Sequence, residues 1–333
     1  MLIRILKNRA VILSLAAVVT FFALVLGVGF GSVKLTFGEC IRGLFFGTGT
    51  EGIIIRSLRL PRVLGALLSG AALGGAGLLL QSAVANPLAA PNTIGINAGA
   101  GAAVMLSLVF IKNSFVFQSV FAFLGALAAA LVTLFIASRF GGMSRGTVVL
   151  AGVAVGAVFN AVISYLSVRF PDVLSSYASF SVGGFSGILW KDITAPSAVI
   201  LFMLALGMLL APLMNLLDLG DELAASFGVK TRALRFLLVV ISAALASASV
   251  SYAGLIGFVG LIAPHVSARL IGSDKRFLYP MTLLFGSSLT VLSDLLARVL
   301  FAPSELPSGI LLNAVGAPFF LALLIFGRRK GDV

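Results

Sequence analysis

The stretch LDLGDELAASFGVKTRALR, Leu217 to Arg235, decides the fold because it is a short polar interlude between two strongly apolar runs. Asp218 or Gly220 can cap a helix start, Asp221 and Glu222 fall in the first turn where the helix dipole favours anions, and Gly228 supplies a left-handed stop. The spacing predicts a helix over about 218–229. Leu219, Leu223 and Phe227 recur every four residues and form one apolar stripe, with Ala224 beside it. Such a stripe either buries against a partner or lies in lipid headgroups. A chain that leaves one apolar run, makes a bounded polar helix and enters another is crossing a membrane repeatedly.

Composition agrees. The 333 residues are 60% hydrophobic and only 10% charged, with a mean hydropathy of +1.16, whereas soluble domains carry about a quarter charged residues. The net charge of +12 does not point to nucleic acid, because the basic residues sit in short clusters between apolar runs. Cys40 is the only cysteine, so no intrachain disulfide is possible. Arg4, Lys7 and Arg9 precede the apolar run from Ala10 to Phe30, which is too long for a signal peptide and lacks a small-x-small cleavage site. It reads as a retained first span.

A window of about 20 residues places spans near 10–30, 62–84, 94–111, 115–138, 147–168, 194–214, 233–252, 257–271, 278–299 and 307–327, with a further short helix near 173–188. The expectation is an all-α polytopic membrane protein of about ten helices, one transmembrane domain over 1–333. With both termini cytoplasmic, Lys and Arg divide roughly 14 to 9 in favour of the inside, and the Leu217–Arg235 loop faces the cytosol. Five spans on each side of the loop near Lys191 give two halves of opposite orientation, although no sequence repeat relates them.

One span is visibly broken. In GLIGFVGLIAPHVSAR, Gly254 to Arg269, three glycines and Pro264 leave little continuous helix, and broken backbone at membrane depth must be buried in protein or line a polar path. Gly70 with Gly74, Gly95 with Gly99, and Gly152 with Gly156 place small residues four apart, which lets helices approach closely. Enzyme chemistry finds no support: His265 has no HExxH partner or cysteine cluster, and no GxSxG, P-loop or paired intramembrane carboxylates occur. The chain is expected to carry no catalytic or metal-ligating residues. Asp294 and Arg298, four apart, can neutralise one another on one helix.

Four segments together resemble the FecCD-type permeases, the membrane subunits of ABC importers for iron-siderophores, haem and cobalamin. They are RLPRVLGALLSGAALGGAGLLLQSAVANPLAAPNTIGINAGAGAAV (Arg59 to Val104), LGDELAASFGV (Leu219 to Val229), GLIGFVGLIAPHVSARLIGSDKRF (Gly254 to Phe277) and ELPSGILLNAVGAPFFLALL (Glu305 to Leu324). The resemblance runs in order and spacing from Arg56 onward; the first span and the loop 31–55 carry little of it.

The resemblance implies a multi-pass permease of the bacterial inner membrane, working as a homodimer with its path on the twofold axis. Two ABC ATPase subunits dock in the cytosol, an extracytoplasmic binding protein docks outside, and the substrate is a metal chelate. ATP and Mg²⁺ then belong to the ATPase, and this chain binds no cofactor. By resemblance, Leu219, Gly220, Asp221, Glu222, Leu223, Ala224, Phe227 and Gly228 form the ATPase-coupling helix. Arg56, Arg59 and Arg298 receive acidic residues of the binding protein. Asn86, Pro87 and Leu88 form the cytoplasmic gate with the turn around Ser144, and the outer gate lies near 173–187. Ferric siderophore is the expected cargo, with haem or cobalamin as alternatives. The remote rival is an ion-driven secondary transporter, for which Asp294 is the one candidate carboxylate.

Overall fold

The computed structural model describes residues 8–47, 49–111, 114–140, 145–302 and 304–327, and every regular element among them is helical. The elements are α1 (Arg9–Gly29), α2 (Phe37–Phe45), α3 (Leu60–Val84), α4 (Ile96–Phe110), α5 (Phe115–Phe140), α6 (Arg145–Arg169), α7 (Leu174–Val182), α8 (Trp190–Leu217), α9 (Asp221–Ser226), α10 (Thr231–Ala253), α11 (Val259–Ile271), α12 (Lys275–Val299) and α13 (Ser308–Gly327). A π-helix, Ile53–Arg59, runs directly into α3. Seven helices are long and apolar enough to cross a membrane, and α4, α11 and the start of α13 are shorter apolar helices. The seven long helices and the three shorter ones overlap the stretches expected to be apolar. The protein is a polytopic all-α membrane protein.

The core is built on α3 and α10, whose residues are nearly all buried, with α12, α11 and α8 packed on α3 and α5 packed on α10. Small residues make this possible. A side chain at Gly70 would strike the backbone of Gly286, and one at Gly77 the carbonyl of Gly260, so α3 touches α12 and α11 backbone to backbone. Gly99 and Gly152 meet the Gly125 and Thr93 backbones in the same way. Buried hydroxyls then link helices: Ser242 Oγ donates to Ala76 O at 2.7 Å, Tyr252 OH to Gly65 O at 2.9 Å, and the Ser69 and Ser249 hydroxyls pair at 2.6 Å.

The break expected between Gly254 and Arg269 is present. α10 stops at Gly254 (φ 70°), Phe258 adopts a left-handed φ of 64°, and α11 restarts for only 13 residues. Pro264 inside α11 cannot donate to Gly260 O. The Gln81 side chain reaches that carbonyl instead, Nε2 to O 3.4 Å. The end of α7 is pinned onto the same break, since Leu255 N donates to Phe180 O and Gly184 N to Ala253 O. The short helix expected over 173–188 ends at Val182, because Gly183 turns with φ 72°.

Candidate functional site: the coupling helix and the turn after α3

The polar interlude folds as a shorter helix than its spacing suggests. α9 covers Asp221–Ser226, because Gly220 before it stands at φ 96° and Gly228 after it at φ 82°. Asp218 does not cap it; it ends α8 and pairs with Lys275 of α12, Oδ2 to Nζ 3.1 Å. Asp221 and Glu222 do occupy the first turn. Ala224 is fully buried against the body of the protein, while Leu219, Leu223 and Phe227 are 52%, 56% and 67% exposed. The apolar stripe therefore points away from the chain.

The turn after α3 is set by Ala85, a non-glycine residue at φ 48°, which ends the helix. The Asn86 side chain then closes a local turn by accepting from Leu88 N at 3.0 Å, leaving Pro87 and Leu88 exposed. Ser144, expected opposite this turn, lies outside the described residues.

One buried cation, which the sequence pattern does not single out, joins the two parts. Arg235, at the start of α10, is buried; its Nη2 and Nε donate to Asp221 Oδ1 at 2.9 and 3.2 Å, and its Nη1 donates to Ala83 O. The Ala83 carbonyl belongs to the last turn of α3, where backbone acceptors have no intrahelical donor. α9 is thus tied through one guanidinium to the end of the helix that carries the Asn86 turn. Asn86, Pro87, Asp218, Gly220, Arg235 and His265 line one cavity of about 520 Å³ behind it. His265 Nδ1 donates to Leu261 O at 2.9 Å, so its ring is anchored to its own helix. Among the described residues, no group of three or more His, Cys, Asp or Glu side chains could hold a metal ion.

At the opposite end of α3, Arg59 is 5% and Arg298 2% exposed, and both line a cavity of about 290 Å³ with Arg62 and Glu305. Arg59 donates to Val28 O at 3.0 Å, Gly29 O at 2.7 Å and Val33 O, and Arg298 Nη2 to Gly27 O at 2.6 Å. Both cap the carbonyls that end α1, where the dipole favours cations. Arg56 is exposed and binds the Leu44 and Phe45 carbonyls at the end of α2.

Arg62, unremarked in the sequence, organises this end. It clasps Asp294 with three hydrogen bonds of 2.9 to 3.2 Å and meets Glu305 at 2.6 Å, while Arg298 Nε lies 3.6 Å from Asp294 Oδ2. Burial disfavours the charged Glu305 carboxyl, but the Arg62 hydrogen bond and charge and the Ser186 hydroxyl outweigh it, holding it below the usual range. Asp294 is enclosed between two arginines 232 residues and one helical turn away along the chain. That enclosure counts against a proton-carrying role.

The model of the FecCD transport family matches residues 18–326. The chain belongs to that family. It is 35% identical over 325 residues to the Fe(3+)-citrate import system permease protein YfmE of Bacillus subtilis, covering 97% of each chain. It is 37% identical to the hemin transport system permease protein HmuU of Yersinia pestis, over 82% of this chain and 84% of that one. Among solved structures, an inward-facing conformation of a metal-chelate type ABC transporter superposes with a TM-score of 0.83 at 29% identity, covering 95% of this chain and 99% of that chain. As a FecCD transport family member it is a multi-pass permease subunit, and the family implies ATPase and substrate-binding partners.

Proposed function

We propose that this FecCD permease imports a metal chelate, a ferric siderophore foremost and haem or cobalamin as alternatives, across the bacterial inner membrane with both termini cytoplasmic. Two copies form the path on their common axis. The exposed apolar face of α6, including Leu150, Val153 and Val158, is available for a second copy, and Asn92, Asn97, Asn160 and Tyr177 line an uncharged polar cavity of about 470 Å³ beside it. Such a surface can hold a bulky chelate by shape and a few hydrogen bonds. A separate binding protein delivers the cargo on the outer side, where Arg56 is the one expected docking arginine that stays accessible.

Two ABC ATPases supply the energy, with ATP and Mg²⁺ bound there. The observation that carries this reading is the outward stripe of Leu219, Leu223 and Phe227 on a helix whose other face, at Ala224, is locked to the permease. An ATPase cleft that grips the stripe pulls on α9, and Arg235 passes the displacement to the end of α3 and the Asn86–Leu88 turn. ATP-driven closure would thereby open or shut the inner gate.

Replacing Leu223 and Phe227 with Asp tests this. Burying two large apolar side chains contributes about 3–6 kcal/mol, so ATPase affinity should fall on the order of 100-fold or more and uptake should vanish while the helical circular dichroism persists. Normal co-purification of the ATPase with the double variant refutes the coupling role.

A further inference from the structure

Away from both ends of α3, a groove of about 260 Å³ runs between the first turns of α5 and α8 on the outside of the bundle. Val116 and Val120 line it from α5 and Val199 from α8, and Ser251 of α10 forms part of its wall. Both helices begin at this groove, so Lys191 and Asp192 lie among their starts and the deeper turns are apolar. The polarity gradient matches that of a phospholipid, a charged head above an acyl chain.

Three details specify the head. Lys191 is exposed, lines the groove and has no ion-pair partner among the described residues. Two long helices present N-terminal backbone donors and positive dipole ends in the same region, which favours an anion. Asp192 is 9% exposed and lines the groove; its Oδ2 caps Leu189 N at 2.9 Å, while its buried Oδ1 has no hydrogen-bond partner. Pro196 also cannot donate to the Asp192 carbonyl four residues back. A buried carboxylate oxygen left unpaired is costly, and an occupant that brings a donor relieves that cost. Lys191 asks for an anion and Asp192 for a hydrogen-bond-donating cation.

We propose that this groove is a specific binding site for a phospholipid with a primary ammonium headgroup, namely phosphatidylethanolamine. Its phosphate sits at Lys191 and the helix starts, its ammonium donates to Asp192, and an acyl chain lies along Val116, Val120 and Val199. Phosphatidylcholine has the same charges but no N–H to donate. Phosphatidylglycerol can donate through hydroxyls, but with its phosphate at Lys191 it has no cation to offset the Asp192 charge.

Native mass spectrometry of the intact transporter, delipidated in mild detergent and titrated with each of the three lipids, decides the matter. Phosphatidylethanolamine should bind at least about tenfold tighter than the other two. Asp192→Asn, which keeps an acceptor for Leu189, and Ala195→Trp, which fills the groove, should each abolish that preference, while Lys191→Gln should weaken binding of all three lipids by removing the partner of their common phosphate. Equal retention of phosphatidylcholine or phosphatidylglycerol, a preference that survives Ala195→Trp, or binding indifferent to Lys191→Gln means ordinary annular lipid and overturns the site. The headgroup comparison on the unaltered protein decides even if Asp192→Asn fails to fold.

Discussion

Replacing Asp294 with Ala removes the one carboxylate that faces two buried arginines. Asp294 is 1% exposed, takes three hydrogen bonds from Arg62 and stands 3.6 Å from Arg298. Without it, Arg62 keeps Glu305, but Arg298, 2% exposed, keeps only the Gly27 carbonyl. Breaking a buried pair from one side costs about 3–5 kcal/mol, because the surviving charge stays desolvated. At roughly 2 °C per kcal/mol for a chain of this size, the midpoint should fall by about 6–10 °C. Thermal unfolding followed by circular dichroism in lipid nanodiscs measures it. Asp294→Leu combined with Arg298→Leu removes the stranded charge and should recover about half of the loss, the remainder reflecting the uncapped end of α1. If Asp294→Ala shifts the midpoint by less than about 1 °C, or the double variant is no better than the single, the cluster is not a compensated charge network.

Arg235→Met keeps the buried stem but cuts the link from α9 to α3; ATPase binding should persist while ATP-driven uptake drops at least about tenfold, and unchanged uptake would show that force travels elsewhere. Cysteine at Leu88, in a Cys40→Ala background, should crosslink between the two copies in one nucleotide state and not another; a yield indifferent to ATP marks the turn as static. Because Glu305 is held below the ordinary value of 4.5, its contribution to stability is complete above about pH 4.5 and disappears as pH drops through its folded value. The unaltered protein should therefore lose more of its midpoint as pH falls from about 5 to about 3 than Glu305→Gln does, and parallel curves would contradict the Arg62–Glu305 pairing.

The spans were legible because hydrophobic length is a local property, and the break at Gly254 to Phe258 announced itself through three glycines and Pro264. The exposed apolar stripe of Leu219, Leu223 and Phe227 was legible for the same reason, since a period of four needs no knowledge of the rest of the chain. Its bounds were not. Asp218 has the composition of a cap, but Lys275, 57 residues later, holds it at the end of α8. The arginines illustrate the larger difficulty. Arg56, Arg59, Arg232, Arg235 and Arg298 all donate to carbonyls in the last turns of other helices, and which helix ends lie near which arginine is decided only by packing. A guanidinium that caps a helix and one that awaits an acidic partner look identical in a sequence.

α3 carries a mechanical consequence. It is a rod of 25 residues, about 37 Å at 1.5 Å per residue, with Arg62 clasped at one end and Ala83 gripped by Arg235 at the other. At Gly77 and Gly70 its backbone lies directly on α11 and α12, with no soft layer of side chains between them to compress. A push at one end of α3 would therefore reach the other as displacement rather than being absorbed as strain, with the three helices shifting as a single lever whose two handles are both arginines.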